Sequence, residues 1–409
     1  MNSNNDQLDQ VKLINWCNKD ILPILKNCVD DNLNNVTLDI SVPKDCHYLS
    51  TVYFLNIKIK DENKCIYTVI KKPNENSPLI KILNPYKLFH NEALFYKKIA
   101  CYNKQFPKCY WSSIDEENIN NTLIILENIG TLGFKICPSL YDIPFEYVIS
   151  GVQELARFHG MGYTMKINQH SIMEEIINDI QEAKYTPDNF YSTYFNLISM
   201  RPIKWLREQN YDVKFCNKME HYMKNAYQYF ILDLIKPIEP LAVICHGDFT
   251  RNNILFRKTN DIIEPRLIDF AMMRYASPGI DLSTFLFYSV SKNDRKERFN
   301  EIFKAYHDAL IKYLNDENIK IIDCFSYDNL VADYKHHVMF GYIIAICFLP
   351  NFYGICKMSN AMVASNYDPA KTYTVSNIGN AGGDELSKRF AEMLIEIREL
   401  GGLDHLEDL

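Results

Sequence analysis

The chain has 409 residues, 47% hydrophobic and 23% charged, a balance that excludes disorder or a fibrous repeat as its main state. Its 44 basic and 51 acidic residues leave a net charge of −7, so the basic footprint of a nucleic-acid binder is missing. A local anion site stays open, because a phosphate pocket needs only a few groups.

Residues 7–30 place Leu8, Val11, Ile14, Ile21, Leu25 and Val29 at roughly helical spacing, and Pro23 predicts a kink or break. The stretches 51–60 and 65–70 are rich in β-branched and aromatic residues, with Asp61-Glu-Asn-Lys between them. That pattern predicts a β-hairpin closed by Lys71-Lys72-Pro73. A helix over 88–101 carries Leu88, Glu92, Phe95 and Ile99. A second hairpin includes Thr122-Leu-Ile-Ile-Leu-Glu127.

Beyond about residue 130 the chain reads as mainly helical, with an apolar stripe from Val148 to Met161. Helical patterns follow at 171–184, 191–208 and 214–235. A short β-like island occupies 241–270, and helices resume to a last one at 385–400. The predicted class is α+β and bilobal. A β-rich N-terminal domain spans 1–128 and a helical C-terminal domain spans 129–409, with the ligand site expected between them. The uncharged stretch Val338 to Cys356 has marginal length for a membrane span. It contains Pro350 and Asn351, so it reads as a helix buried in a large core. The N-terminus lacks the apolar run of a secretory signal. The 12 Cys show no Cys-x-x-Cys and no zinc-ligand spacing, which suits reduced, mostly buried thiols. A cytoplasmic protein with no membrane or nucleic-acid partner is expected; the oligomeric state is left open.

The island holds the segment that carries chemistry, His246-Gly-Asp248-Phe-Thr-Arg-Asn-Asn253-Ile-Leu-Phe256. An Asp followed five positions later by Asn has the spacing of a kinase catalytic loop. The Asp must sit beside an attacking hydroxyl and accept its proton, while the Asn reaches a metal ion bridging phosphates. Sixteen residues on, Leu267-Ile-Asp269-Phe270 closes a short apolar strand with a second candidate metal ligand. Asn is abundant here and both residue types favour turns. It is the ordered pair of fragments that points to phosphoryl transfer. His246 reads as an orienting group for the loop backbone. Upstream, Lys71 ends a strand where a phosphate-neutralising lysine belongs, with Lys72 on the opposite face as the alternative. Glu92 is its candidate partner. Only seven residues, Phe270 to Ala276, separate Asp269 from Ser277-Pro278, too few for a protein-kinase activation loop.

These segments resemble the insect ecdysteroid-kinase-like proteins, within the choline- and aminoglycoside-kinase superfamily. The same resemblance runs through Phe89-x-x-Glu92-x-x-Phe95-Tyr96, Leu126-Glu127-Asn128-Ile129, Leu155-Ala-Arg-Phe-His159 and Ser277-Pro278-x-x-Asp281-Leu282. It implies an ATP- and Mg²⁺-dependent kinase of small-molecule hydroxyls. Asp248 would be the catalytic base, and Asn253 and Asp269 the Mg²⁺ ligands. Lys71 would hold phosphates with Glu92 beside it, and Ser50 would touch a phosphate. Backbone groups around Glu127 and Ile129 would meet adenine, and Asp281 would buttress the loop. The acceptor would be an ecdysteroid-like or other hydrophobic alcohol, steroid or xenobiotic.

Three departures stand out. The phosphate-covering loop reads Lys44-Asp45-Cys46-His47, without the glycine that lets backbone approach phosphate. Thr250 and Ala271 replace an aromatic and a Gln. The altered loop motivates a second class, a catalytically silent nucleotide- or small-molecule-binding pseudokinase. Tyr191, Tyr194, Phe195 and Trp205 are read as core in preference to acceptor lining. Glu174, Glu175, Asp179 and Glu182 are read as a solvated helix face in preference to a cation site.

Overall fold

The computed structural model describes residues 3–29, 33, 35–43, 50–60, 62, 64–74, 84–103, 105–187, 191–353, 355 and 381–407. The loop at 44–47 therefore lies outside the described residues. The chain divides into two compact units, Met1–Phe134 and Lys135–Leu409.

In the first unit, helix α1 (Ser3–Trp16) passes through a π-helical turn, Cys17–Ile21, into α2 (Leu22–Cys28). Pro23 sits in the first turn of α2, where its missing N–H costs little. The predicted break is thus a local rewinding. Strands β1 (Val36–Ser41), β2 (Ser50–Ile59), β3 (Lys64–Pro73), β4 (Cys109–Ser113) and β5 (Leu123–Glu127) form one antiparallel sheet in the order β1-β2-β3-β5-β4. One sheet face is closed by Cys17, Ile21 and Leu25 packing on Leu55, Ile57, Ile66 and Ile70. Helix α3 (Pro85–Lys98) is capped by Asn84, whose side chain accepts from the Lys87 N–H, and starts on Pro85.

The second unit opens with β6 (Lys135–Ile136) and the long helix α4 (Phe145–Asn168). Then come α5 (His170–Asp179), α6 (Tyr191–Glu208), α7 (Val213–Met223) and a π-helical turn, Tyr227–Leu232. The pattern expected to stay helical to 184 stops at Asp179. Glu182 Oε1 instead accepts the N–H groups of Lys184 and Tyr185, an alternative to helical hydrogen bonding.

The β-like island folds as β7 (Val243–Cys245), β8 (Ile254–Thr259), β9 (Ile262–Leu267) and β10 (Arg274–Ala276). Strand β7 pairs with β10, and β8 pairs with both β6 and β9. Helices α8 (Pro278–Ser289), α9 (Lys292–Glu297), α10 (Phe299–Asp316), α11 (Tyr327–Phe352) and α12 (Gly383–Leu400) complete the unit. Among the described residues no helix is long and apolar enough to cross a membrane. The apolar run from Val338 to Phe352 lies in α11, packed on α8. A Cβ at Gly341 would stand 2.2 Å from the Ser283 carbonyl carbon, so only glycine permits that approach.

Candidate functional site

Alternation along β3 sends successive side chains to opposite faces. Lys72 shares the face of Ile70 and lies over the Trp16 ring, 5.2 Å from its centroid. Lys71 therefore takes the other face, where its Nζ meets Glu92 Oε2 of α3 at 2.6 Å. Both side chains are buried, at 10% and 2% exposure, so this is an ion pair withdrawn from water. Ser50 starts β2, half-buried and opposite Pro73. Glu127 ends β5, with its N–H on the Lys108 carbonyl and its carboxylate accepting the Lys108 N–H. Asn128 caps the 3₁₀ turn Ile129–Leu132 by accepting the Gly130 N–H, and Ile129 is buried.

In the second unit, β7 delivers the chain to Gly247, whose φ is +79°. A Cβ there would lie 1.9 Å from the Met272 carbonyl oxygen, so the turn requires glycine. The half-buried Asp248 follows. A 3₁₀ turn, Arg251–Asn253, then brings Asn253 back. The Asn253 Nδ2 donates both to the Asp248 carbonyl at 2.8 Å and to its Oδ2 at 2.9 Å. Those bonds commit the Asn253 amide nitrogen, so its Oδ1 is the atom left to offer a cation. The Asn253 carbonyl accepts the Ile268 N–H, which ties the loop to the segment leading into Asp269. Asp269 has φ +66°, a left-handed conformation that Asp tolerates better than most residues and that accumulates at functional sites.

The loop hangs from Asp281. Its Oδ2 accepts the His246 N–H at 2.6 Å and its Oδ1 the Gly247 N–H at 2.8 Å. His159 of α4 lies between Asp281 Oδ2, 3.2 Å from its Nε2, and the Tyr306 hydroxyl, 2.7 Å from its Nδ1. All three side chains are buried. Burial alone would raise the Asp281 carboxyl. The His159 hydrogen bond and charge, the charge of His246 and the Gly247 amide outweigh it and hold the carboxyl below its ordinary value. His246 itself bonds the Ile268 carbonyl through Nε2 at 3.0 Å, with its Nδ1 3.4 Å from the Asp248 N. Both contacts are to backbone groups, at the loop and at the segment leading into Asp269, which is the orienting role expected of it.

His159, Cys245 and Asp281 cluster within metal-binding distance. Both carboxylate oxygens of Asp281 are already engaged by backbone amides, however, and burial pushes the Cys245 thiol well up, against forming a thiolate ligand. The atoms that Asn253 and Asp269 can offer a cation are oxygens, the kind that suits Mg²⁺. Tyr191, Tyr194 and Phe195 are buried, and the Tyr194 hydroxyl donates to the Cys347 carbonyl. Glu174 is exposed beside His170, but Glu182 faces inward on backbone amides. The motifs gave no signal for Tyr306 and Arg274. Both are recognisable only through residues far away in sequence.

A model of the Ecdysteroid kinase-like family matches residues 44–319. No curated protein matches the sequence. Among solved structures, the chain is similar to the Plasmodium vivax ethanolamine kinase at 14% identity and TM-score 0.48, covering 95% of this chain and 91% of that one. A microcompartment-associated aminopropanol kinase gives 9% identity and TM-score 0.41, over 95% and 100% of the two chains. An aminoglycoside-3'-phosphotransferase of type VIII gives 13% and 0.32, over 73% and 93%.

Proposed function

For a chain that belongs to the Ecdysteroid kinase-like family, a bilobal kinase-like α+β protein, we propose ATP-dependent phosphorylation of a hydroxyl on a small hydrophobic alcohol, ecdysteroid-like alcohols among them. The observation that carries this reading is the loop itself: Asn253 braces Asp248 through two hydrogen bonds, and Asp281 suspends the loop backbone.

Asp248 orients the acceptor hydroxyl and takes its proton as the acceptor oxygen bonds to the γ-phosphorus. The bond from that phosphorus to the bridging oxygen breaks, and ADP leaves with the electron pair. Asp248 then passes its proton to water. Asn253 and Asp269 would hold Mg²⁺, with Lys71 neutralising phosphate charge and Glu92 fixing the lysine. Bound Mg²⁺ supplies positive charge to the transferring phosphoryl group. Ser50 would meet a phosphate, and the backbone near Glu127 and Ile129 would meet adenine.

The test is phosphate incorporation from labelled ATP across sterols, phenols and amino alcohols. Asp248→Asn should lower kcat by about 10²–10⁴-fold on any acceptor found, as expected for loss of a general base. An unchanged rate in that variant would remove Asp248 from the reaction. Absence of Mg·ATP-dependent thermal stabilisation and of turnover together would instead favour a binding protein.

A further inference from the structure

Next to the loop, the segment between α5 and α6 places Lys184 among aromatic rings. Its Nζ lies 4.5 Å from the Phe348 centroid of α11, 5.2 Å from that of Tyr185 and 5.8 Å from that of Tyr191. Three rings around one ammonium are what proteins use to bind cationic ligands. Here the cage is filled by the protein's own cation. Burial lowers the Lys184 pKa; Asp248 and Glu182 act against that, while Arg274 adds to it. Geometry ties this cage to the loop: Tyr185 also meets Arg274, whose Nε would stand 3.3 Å from a Cβ on Gly247, the residue before Asp248.

A second cation stands on the same ring. Arg274 is 5% exposed, and its guanidinium lies 4.9 Å from the Tyr185 centroid. Its Nε and Nη1 have no hydrogen-bond partner among the described residues. A buried guanidinium with orphaned donors favours an oxygen-bearing ligand and opposes an ammonium. The carboxylates acting on Lys184 and Tyr185 are Asp248 and Glu182. Glu182 is spent on the Lys184 and Tyr185 amides and on Arg274, whose Nη2 lies 3.5 Å away. An incoming ammonium would find its cage occupied, two cations at hand, and Asp248 as its remaining anion among these described groups.

We propose that Lys184, seated among Tyr185, Tyr191 and Phe348, is a specificity residue that restricts the acceptor to alcohols without a positive charge. This inference rests on the phosphotransfer reading above and adds the charge class of the acceptor.

The test uses two isosteric pairs on the full chain: choline with 3,3-dimethylbutan-1-ol, and tyramine with 4-propylphenol. In each pair the ammonium is replaced by its neutral carbon counterpart. The wild-type protein should favour the neutral member by about tenfold or more in kcat/KM, as repulsion from a nearby like charge requires. Lys184→Met should shrink that ratio toward unity, and Lys184→Arg should retain it. A wild-type ratio at or below unity, or a ratio unchanged in Lys184→Met, overturns the proposal. The wild-type arm stands even if a variant fails to fold. Should no compound be phosphorylated, the phosphotransfer reading fails for these acceptors, and saturation-transfer NMR of the same four compounds decides the charge question separately. Binding of the neutral members alone supports the role of Lys184. Binding of both members, of the cations alone or of none overturns it.

Discussion

Replacing Asp281 should uncouple the His246-to-Asn253 loop from the helices beneath it. Asp281→Ala strips acceptors from the His246 and Gly247 amides and from His159, all at a fully buried position. Each buried donor left unsatisfied costs about 1–3 kcal/mol, so with three of them the variant should lose about 3–9 kcal/mol. Asp281→Asn should lose about 2–3 kcal/mol, because the amide accepts one N–H but turns its own donors toward the other. Trp16 and Trp111 belong to the first unit and Trp205 to the second. In a Trp16→Phe/Trp111→Phe background, urea unfolding followed by fluorescence therefore reports on the helical unit alone. A loss of that size should lower the midpoint by about 1 M or more.

The pH dependence has a definite sign. The folded carboxyl is held below its unfolded value, so its contribution is complete above about pH 4 and is lost as pH falls through the lower folded value. The gap between wild type and Asp281→Asn should stay level from pH 7 to 5 and close in stronger acid. A midpoint for Asp281→Ala within about 0.2 M of wild type, or a gap that widens on acidification, would refute the suspension of the loop from Asp281.

Two further outcomes follow from the same geometry. Lys71→Met leaves the Glu92 carboxylate buried without its lysine and should cost about 3–5 kcal/mol, whereas Lys71→Met/Glu92→Leu should recover most of that. Denaturant unfolding of both variants checks it, and equal losses in the single and double variants would contradict an ion pair at this position. Gly247→Ala should cost at least about 2 kcal/mol more than Gly383→Ala. Both glycines have positive φ, but only at Gly247 does the added Cβ meet backbone, while at Gly383 it meets open space. Similar losses at the two sites would mean that the turn around Gly247 yields.

What was legible in the sequence was local. The β2–β3 hairpin, α3 and the Asp248-to-Asn253 spacing depend on neighbours a few residues apart, and their patterns appear in the chain as written. The faces taken by Lys71 and Lys72 needed more. They are set by Trp16 on one face of β3 and Glu92 on the other, contacts that span 56 and 21 positions. The acidic group from Glu174 to Glu182 misled in part, because the helix ends at Asp179 and Glu182 turns inward to cap the next segment. Lys184 and Arg274 gave no signal at all. Each is an ordinary basic residue until three rings from separate elements close around the lysine and one of those rings also meets the arginine.

That contrast bears on how the loop holds its shape. Asp248 and Asn253 are adjacent in the fold because they are adjacent in the chain, yet five residues of turn have no stiffness of their own. Rigidity comes from a buried polar chain running from Tyr306 of α10 through His159 of α4 to Asp281 of α8, and from there to two loop amides. Three helices distant in sequence thus converge on one carboxylate. Every member of the chain is satisfied, which is the condition under which a buried polar network rigidifies its surroundings. The core of the helical unit therefore sets the position of the loop's two amides, and through them that of Asp248. Changes at Tyr306 should accordingly act on the loop without touching any reactant. Tyr306→Phe removes one hydroxyl and leaves His159 to orient Asp281 without its second anchor. Its signature would be a lowered kcat at unchanged KM for ATP, since the change touches none of the residues proposed to hold the nucleotide.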